Sequence, residues 1–259
     1  TRMIANDDET KSVVRVIKEM FIETLSEAGF SPKLSKLVDK YLIVKELEKK
    51  KNAEVSTPYE LRQEMLDKIP SEFWTEPRTV FEPCCGKGGF VVDIVSRFME
   101  GLKDKIPNEK KRYKTIIEKC LYFADINATN IFICKLLLEG RSNKNLGLTI
   151  NYHEGDTLKL NVKEKWGIDG FDAVIGNPPY NSSGSTGTGN TIWQHFVKAV
   201  LKDKGWVTTG GYLCFVHPPN WRKPCYQKSQ LKDLYDLLTK NNTMIYLSIH
   251  NIRDGNKTF

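Results

Sequence analysis

Residues 171–180 of this chain read FDAVIGNPPY. The apolar run 171–176 predicts a buried strand, and Asn177-Pro178-Pro179-Tyr180 follows it directly. The Asn177 amide and the Pro178 carbonyl offer two acceptors, and the prolines fix their directions. Two acceptors can bind both hydrogens of an amino group on a flat ring, against which Tyr180 can stack. Taken alone, the tetrapeptide is equally compatible with a proline-rich turn that ends a strand.

Strand and helix patterns alternate on both sides of this stretch. Short apolar runs predict strands at 79–81, 121–124, 148–152, 171–176, 212–216 and 244–249, and amphipathic patterns predict helices at 90–99, 128–138, 192–201 and 231–238. Such alternation predicts an α/β fold with a mostly parallel, Rossmann-like sheet that carries helices on both faces. Ligands of such sheets bind at the carboxyl ends of the strands.

Two further regions flank or interrupt this pattern. Residues 1–55 are polar with helical spacing and predict a separate N-terminal helical region, which leaves 56–259 as the main domain. The main domain opens with Thr57 as a predicted helix cap, with Pro58 at the first helical position and Glu60 completing a capping box. Residues 101–118 form a charged insertion. The Gly/Ser/Thr-rich segment 181–191 predicts either a flexible linker or a lid.

Polar residues follow four successive predicted strands. The first strand leads into residues 82–90, EPCCGKGGF, whose glycines let the backbone approach a ligand closely. Asp125 ends the second strand, where an acid commonly accepts the hydroxyls of a ribose. Asp156 follows the third strand and could accept from an adenine amine, and Asn177 follows the fourth. Each acid alone could equally be a helix N-cap, but together the four strand ends indicate a ligand site.

The positive charge is concentrated after Tyr180. Ten Lys and Arg stand there against four Asp, so this part contributes 10 − 4 = +6 of the formal net charge of +7. A basic half beside a ring-binding turn favours a polyanionic partner. No apolar run reaches the roughly 18 residues that cross a membrane, no secretory signal is visible, and the six Cys include no C-x-x-C pair. These features predict an intracellular protein with reduced thiols, without a disulfide framework or a zinc site.

The motifs, in this order, resemble the gamma class of S-adenosylmethionine-dependent DNA adenine-N6 methyltransferases, in its restriction-modification and type IIG-like branch. The resemblance runs from about residue 56 to residue 259, and residues 210–218 resemble a further strand motif of the class. It implies S-adenosylmethionine as the cofactor and no metal. The cofactor-binding residues that it implies are Thr57, Glu82, Pro83, Cys84, Gly86, Gly88, Asp125, Ile126, Asp156, Thr157 and Asn177.

The resemblance also implies the reaction and the partners. Asn177, Pro178, Pro179 and Tyr180 would be the catalytic residues, acting on an adenine flipped out of double-stranded DNA. Phe259 is a candidate second aromatic on that base. The last strand and the DNA-recognition domain of the class are expected to lie outside this sequence, on a further domain or a partner subunit.

Two other functions remain compatible with the sequence. The first is amino-methylation of RNA or of a protein glutamine, since a glutamine side chain also presents a planar NH2. The second is a non-catalytic nucleic-acid-binding subunit that retains the fold.

Overall fold

The structure is a computed structural model that describes residues 8–24, 32–44, 54–140, 146–182, 191–222 and 231–249. The candidate base contact Phe259 and most of the candidate lid at 181–191 lie outside these ranges. None of the described helices is long and apolar enough to cross a membrane.

Strands and helices alternate through the described chain. The strands are β1 (Val80–Glu82), β2 (Leu121–Asp125), β3 (Asn151–Glu154), β4 (Phe171–Gly176) and β5 (Val207–Phe215). The helices are α1 (Asp8–Glu23), α2 (Pro32–Tyr41), α3 (Tyr59–Leu66), α4 (Gly89–Gly101), α5 (Glu109–Thr115), α6 (Ala128–Glu139), α7 (Val162–Trp166), α8 (Trp193–Lys198) and α9 (Leu234–Thr239). Wider π turns extend α5 through Ile116–Cys120 and α8 through Ala199–Asp203.

The five strands form one parallel sheet in the order β3-β2-β1-β4-β5. This confirms the predicted Rossmann-like α/β fold. The strand order reverses direction between β1 and β4, so the carboxyl ends of these two neighbouring strands open a crevice between them. That crevice lies between Glu82, which ends β1, and Asn177, which follows β4.

The central strands β1, β2 and β4 are buried on both faces of the sheet, and alternate residues of each strand point to opposite faces. Val80 of β1 joins the core on one face, beneath α4 and α6, whereas its neighbour Phe81 joins the core on the other. The second core is rich in aromatic rings, and Phe81 stacks on Phe171 with ring centroids 4.9 Å apart. Since helices cover both faces, these central strands are mostly apolar in the sequence, whereas the edge strands β3 and β5 contain polar residues and are partly exposed.

The N-terminal helices α1 and α2 pack into the core of the first face. Met20 of α1 and Leu34 of α2 are fully buried within the same hydrophobic cluster as Phe98 and Leu137 of α4 and α6. The described part of residues 1–55 is therefore in contact with the sheet domain. A domain boundary near residue 55 stays a prediction.

The start of α3 differs from the prediction at Thr57. The helix begins at Tyr59, and the preceding residue, Pro58, makes no side-chain hydrogen bond that caps it. Thr57 is instead buried, and the Tyr59 N–H donates to Asp39 Oδ2 of α2 at 2.7 Å. A carboxylate from another helix thus replaces the local cap, so the predicted capping box is wrong.

The predicted strand at 244–249 is also wrong. This segment pairs with none of the described strands, and Ile245 and Leu247 are exposed. Its Tyr246 hydroxyl donates to Glu64 Oε1 of α3 at 2.6 Å, and Lys68 Nζ lies 4.4 Å from the centre of the Tyr246 ring. Side-chain contacts with α3 take the place of a backbone ladder, which an alternating sequence pattern cannot foresee.

Candidate active site

A cleft opens at the carboxyl ends of β1 and β4. Its empty volume is about 410 Å³, counting space open to solvent. Its lining combines the loop after β1, the segment 54–57 and the residue after β4, and includes Thr57, Glu82, Cys84, Gly86, Lys87 and Asn177. The cleft therefore brings together residues that are up to 139 positions apart in the sequence, from Val38 to Asn177.

The loop after β1 needs its glycines. Gly86 and Gly88 have φ angles of +49° and +87°, a region that residues with a Cβ rarely adopt. A Cβ on Gly88 would also lie 3.0 Å from Cys134 Sγ of α6. The Thr157 hydroxyl, predicted as a cofactor contact, is buried and donates to the Pro83 carbonyl at 2.9 Å. Thr157 therefore fixes the loop from behind.

The Asp125 carboxylate joins this loop to the end of β2. Its Oδ2 accepts from the Gly86 N–H and its Oδ1 from the Asn127 N–H, both at 2.8 Å. Burial raises the pKa of Asp125, and the bonds from the two backbone N–H groups oppose that shift. Each carboxylate oxygen has a second lone pair, so both can still accept from a ligand. The next side chain, Ile126, is 65% exposed at the strand end, where it can cover a flat ligand.

Asp156 has a local role beyond β3. Its Oδ1 accepts from the Leu158 N–H at 3.1 Å, and Oδ2 lies 3.3 Å from Lys159 Nζ. Asp156 thus caps the short helical turn Thr157–Lys159. Neither Asp125 nor Asp156 lines the cleft itself, and both stand at the ends of the strands beside it. Their proposed contacts with the two ends of an adenosine stay predictions.

Glu82, at the end of β1, is a buried carboxyl group whose hydrogen bonding is incomplete within the described residues. The residue is 2% exposed, and its Oε2 has no hydrogen-bond partner among the described residues. Burial raises the pKa of this carboxyl well above its ordinary value, and the charge of Arg62 opposes the shift. A buried acceptor without a donor costs about 1–3 kcal/mol. A ligand that brings a donor or a positive charge to this point would remove that cost.

Asn177 repeats this pattern at the end of β4. The residue lines the cleft, and its Oδ1 is buried with no hydrogen-bond partner in the described part of the chain. Pro178 is buried behind it. The strand end is held by the Val216 N–H, which donates to the Gly176 carbonyl at 3.2 Å. A Cβ on Gly176 would touch Pro83 and Glu82 at 3.5–3.6 Å, so β4 passes close against the loop after β1.

Tyr180 lies in a short antiparallel pairing of residues 180–181 with residues 191–192. The Ile192 N–H donates to the Tyr180 carbonyl at 2.9 Å, and Asn181 forms an antiparallel bridge with Thr191. The Tyr180 ring packs at the edge of a cluster that contains Trp193 and Trp221. Burial raises the pKa of its hydroxyl to about 12, so the ring stays neutral.

An aromatic stack beside the tetrapeptide was not foreseen from the sequence. His217, just after β5, stacks on Trp193 of α8 with ring centroids 5.0 Å apart and planes 3° apart. The His217 Nδ1–H donates to the Pro218 carbonyl at 3.1 Å, and burial lowers the pKa of this histidine. The sequence shows an aromatic and a histidine 24 residues apart, and only the pairing of β5 with β4 places them side by side.

Arg62 is a second feature that the sequence did not indicate. Its side chain is 1% exposed and donates to Asp93 Oδ2 at 2.6 Å, Asp39 Oδ1 at 2.8 Å and Ser35 Oγ at 2.7 Å. It also donates to the Thr57 carbonyl. Arg62 therefore joins α2, α3 and α4 at the wall of the cleft. In the sequence it resembles an exposed helix cation, because its partners are distant.

Comparisons with known proteins agree with this arrangement. A curated relative, an "uncharacterized adenine-specific methylase" of Mycoplasma pneumoniae, is 27% identical over 76% of this chain and 62% of its own length. The chain thus spans about three fifths of that relative. A modification subunit of a putative type I restriction enzyme from Vibrio vulnificus YJ016 matches with a TM-score of 0.50 at 19% identity, over 79% of this chain and 42% of its own. That likeness supports the fold alone.

A family model provides the assignment. The model of the Eco57I restriction-modification methylase matches residues 119–259, which are more than half of the 259 residues. The match includes β2, β4 and the Asn-Pro-Pro-Tyr tetrapeptide. The chain belongs to the Eco57I restriction-modification methylase family.

Proposed function

We propose that this chain transfers a methyl group from S-adenosylmethionine to the exocyclic N6 amine of adenine in DNA. The observation that carries the proposal is the buried Asn177 Oδ1, an acceptor with no partner among the described residues, on a residue that lines a cleft together with a glycine-rich loop. An acceptor left in this state is suited to an N–H donor brought by a substrate.

The cleft fits the cofactor. The glycines at 86 and 88 would let the backbone approach the cofactor closely, and Glu82 offers a buried carboxyl oxygen that has no donor among the described residues. Asp125, at the end of the neighbouring strand, would accept from the ribose hydroxyls, and the exposed Ile126 beside it would cover the base. S-adenosylmethionine, when bound, supplies a methyl group on a positively charged sulfur.

The tetrapeptide would orient the acceptor amine. The Asn177 Oδ1 and the Pro178 carbonyl would accept the two hydrogens of N6, which draws the nitrogen lone pair out of conjugation with the ring. Tyr180 would stack on the adenine, and a stack of this kind contributes about 1–3 kcal/mol. Positioning of the amine against the methyl would supply much of the rate acceleration, with no covalent bond to the protein.

An adenine within a duplex cannot reach such a cleft. Extrusion of the base costs about a few kcal/mol, and stacking against Tyr180 would offset part of that cost. The excess of positive charge after Tyr180 supports a polyanionic substrate, with +6 of the net +7 in that part of the sequence. The name of the Mycoplasma pneumoniae relative supports adenine as the target. We expect a further domain or a partner subunit to supply sequence recognition.

Product analysis tests this function. The full-length protein is incubated with S-adenosylmethionine that carries a labelled methyl group and with duplex DNA, RNA or total protein. The proposal predicts label in DNA, recovered after digestion as N6-methyldeoxyadenosine. Label in a cytosine, in RNA or in protein glutamine would refute it.

A further inference from the structure

A buried ion pair lies within the cleft, in a position that the proposed chemistry does not use. Lys87 Nζ is 3.8 Å from Glu54 Oε1, and the two side chains are 8% and 11% exposed. Lys87 comes from the loop after β1, between the glycines at 86 and 88, and Glu54 comes from the segment before α3. Both residues line the cleft that Asn177 and Glu82 also line.

Glu54 is held in place from a third direction. The Asn130 side-chain amide of α6 donates to Glu54 Oε2 at 3.1 Å. Gly86 has no Cβ there, and a Cβ would lie 3.6 Å from Glu54 Oε1. The carboxylate therefore lies directly over the loop. Its Oε1 lies 3.8 Å from Lys87 Nζ, farther than a hydrogen bond, so Glu54 attracts the Lys87 ammonium by charge toward this side of the loop.

The two cationic side chains in the described cleft lining differ in their protein partners. Its described lining holds two cations, Arg62 and Lys87. Arg62 donates to two carboxylates, a hydroxyl and a carbonyl, and so is committed to the protein. Lys87 has three donors on a compact ammonium, which can serve Glu54 and a ligand anion together. A lysine in a partly desolvated cleft attracts an anion more strongly than one in water.

We propose that Lys87 binds the carboxylate at the amino-acid end of S-adenosylmethionine, and that Glu54 is a positioning residue for Lys87. The inference rests on the proposed function, because it takes the same cofactor to occupy the same cleft. The amino-acid end carries one carboxylate and one ammonium. Lys87 binds the ligand carboxylate, and the buried Glu82 carboxyl at the start of the loop can accept from the ligand ammonium.

Binding of cofactor analogues tests the inference without any methyl transfer. Calorimetry compares three ligands of the full chain: S-adenosylhomocysteine, its decarboxylated form and 5′-methylthioadenosine, which lacks the amino-acid end. The wild type should prefer S-adenosylhomocysteine to the decarboxylated ligand by about 10- to 100-fold, the range expected for a charge-assisted bond. Lys87→Met should lose about that factor for S-adenosylhomocysteine alone, so that the preference falls to about twofold or less.

Other variants separate contact from architecture. Glu54→Gln should reduce the preference for S-adenosylhomocysteine over its decarboxylated form. Lys87→Arg should keep part of the preference that Lys87→Met loses. Lys163→Met removes an equal charge from a side chain that is 74% exposed outside the cleft, and should bind as the wild type does. Thermal melting of each variant confirms that it is folded.

The outcomes distinguish this inference from the proposed function. If Lys87→Met weakens the binding of S-adenosylhomocysteine and of its decarboxylated form by the same factor, Lys87 only supports the loop and the inference is wrong. If its affinity for S-adenosylhomocysteine is unchanged, the inference is wrong as well. If the wild type binds none of the three ligands, the proposed function fails together with it.

Discussion

Replacement of Arg62 by methionine should lower the free energy of unfolding by about 3–5 kcal/mol, the cost of leaving a buried charge without its partner. Arg62 is 1% exposed, and its removal leaves the Asp93 carboxylate, 3% exposed, without the guanidinium that lies 2.6 Å away. Methionine keeps much of the volume, so a cavity contributes little to the loss. The arginine of α3 also holds Asp39 of α2, and the loss should therefore reach the N-terminal helices.

Urea unfolding at several pH values provides the assay. Burial already raises the pKa of Asp93, and the charge of Arg62 opposes that shift. Without Arg62 the pKa of Asp93 in the folded protein should rise further. A carboxyl whose pKa is higher in the folded than in the unfolded state lowers the free energy of unfolding as the pH rises above its unfolded pKa of about 3.9. The deficit of Arg62→Met should therefore be largest near neutral pH and shrink toward pH 4. Adding Asp93→Asn should recover part of it.

Arg97→Met is the matched control. Arg97 of α4 pairs with Asp67 at 2.6 Å, but the two side chains are 29% and 58% exposed. An exposed pair of this kind contributes about 1 kcal/mol or less. A loss in Arg62→Met no larger than in Arg97→Met, or one that is independent of pH, would refute the reasoning.

Three further predictions concern the loop after β1. Burial raises the pKa of Glu82 well above 4.5, and the ammonium of a bound ligand favours its charged form. S-adenosylhomocysteine should therefore bind with release of a proton, and more tightly as the pH rises above about 4.5. Calorimetry in buffers of different ionisation enthalpy measures the proton release, and an unchanged pH dependence of binding in Glu82→Gln would contradict the prediction. Thr157→Val removes the donor to the Pro83 carbonyl and should cost about 1–3 kcal/mol in urea unfolding, whereas Thr157→Ser should cost less. Gly89→Ala places a Cβ 2.8 Å from the Arg62 guanidinium carbon and should cost about 1–3 kcal/mol; wild-type stability would show that Arg62 can move aside.

The sheet could be predicted because its signals are local. The central strands β1, β2 and β4 are short apolar runs that end in a polar or glycine residue, and β4 matches its predicted bounds of 171–176. The strand predicted at 148–152 lies instead at Asn151–Glu154, a partly exposed polar segment at the edge of the sheet. The failures arise where tertiary contacts decide. Asp39, 20 residues before Tyr59, supplies the cap expected from Thr57. Residues 244–249 lie outside the sheet, and their Tyr246 contacts α3 through its side chain.

The candidate site was predictable where strand ends meet. Parallel strands place Glu82 and Asn177 at one edge, so their proximity follows from the fold. Glu54 and Arg62 gave no signal, because a glutamate and an arginine in charged helical segments resemble solvent-exposed residues. Their burial depends on α2 and α6 packing over the loop, which no local pattern encodes.

The role of Asn177 is the central claim, and one pair of measurements on Asn177→Ala tests it most directly. Loss of a bond made best near the transition state should lower methyl transfer to DNA by about 10²–10³-fold. Affinity for S-adenosylhomocysteine should stay within about threefold of the wild type, because the loop after β1 is untouched. Asn181→Ala, four residues further along, should keep both properties. Near-normal turnover in Asn177→Ala would contradict the account.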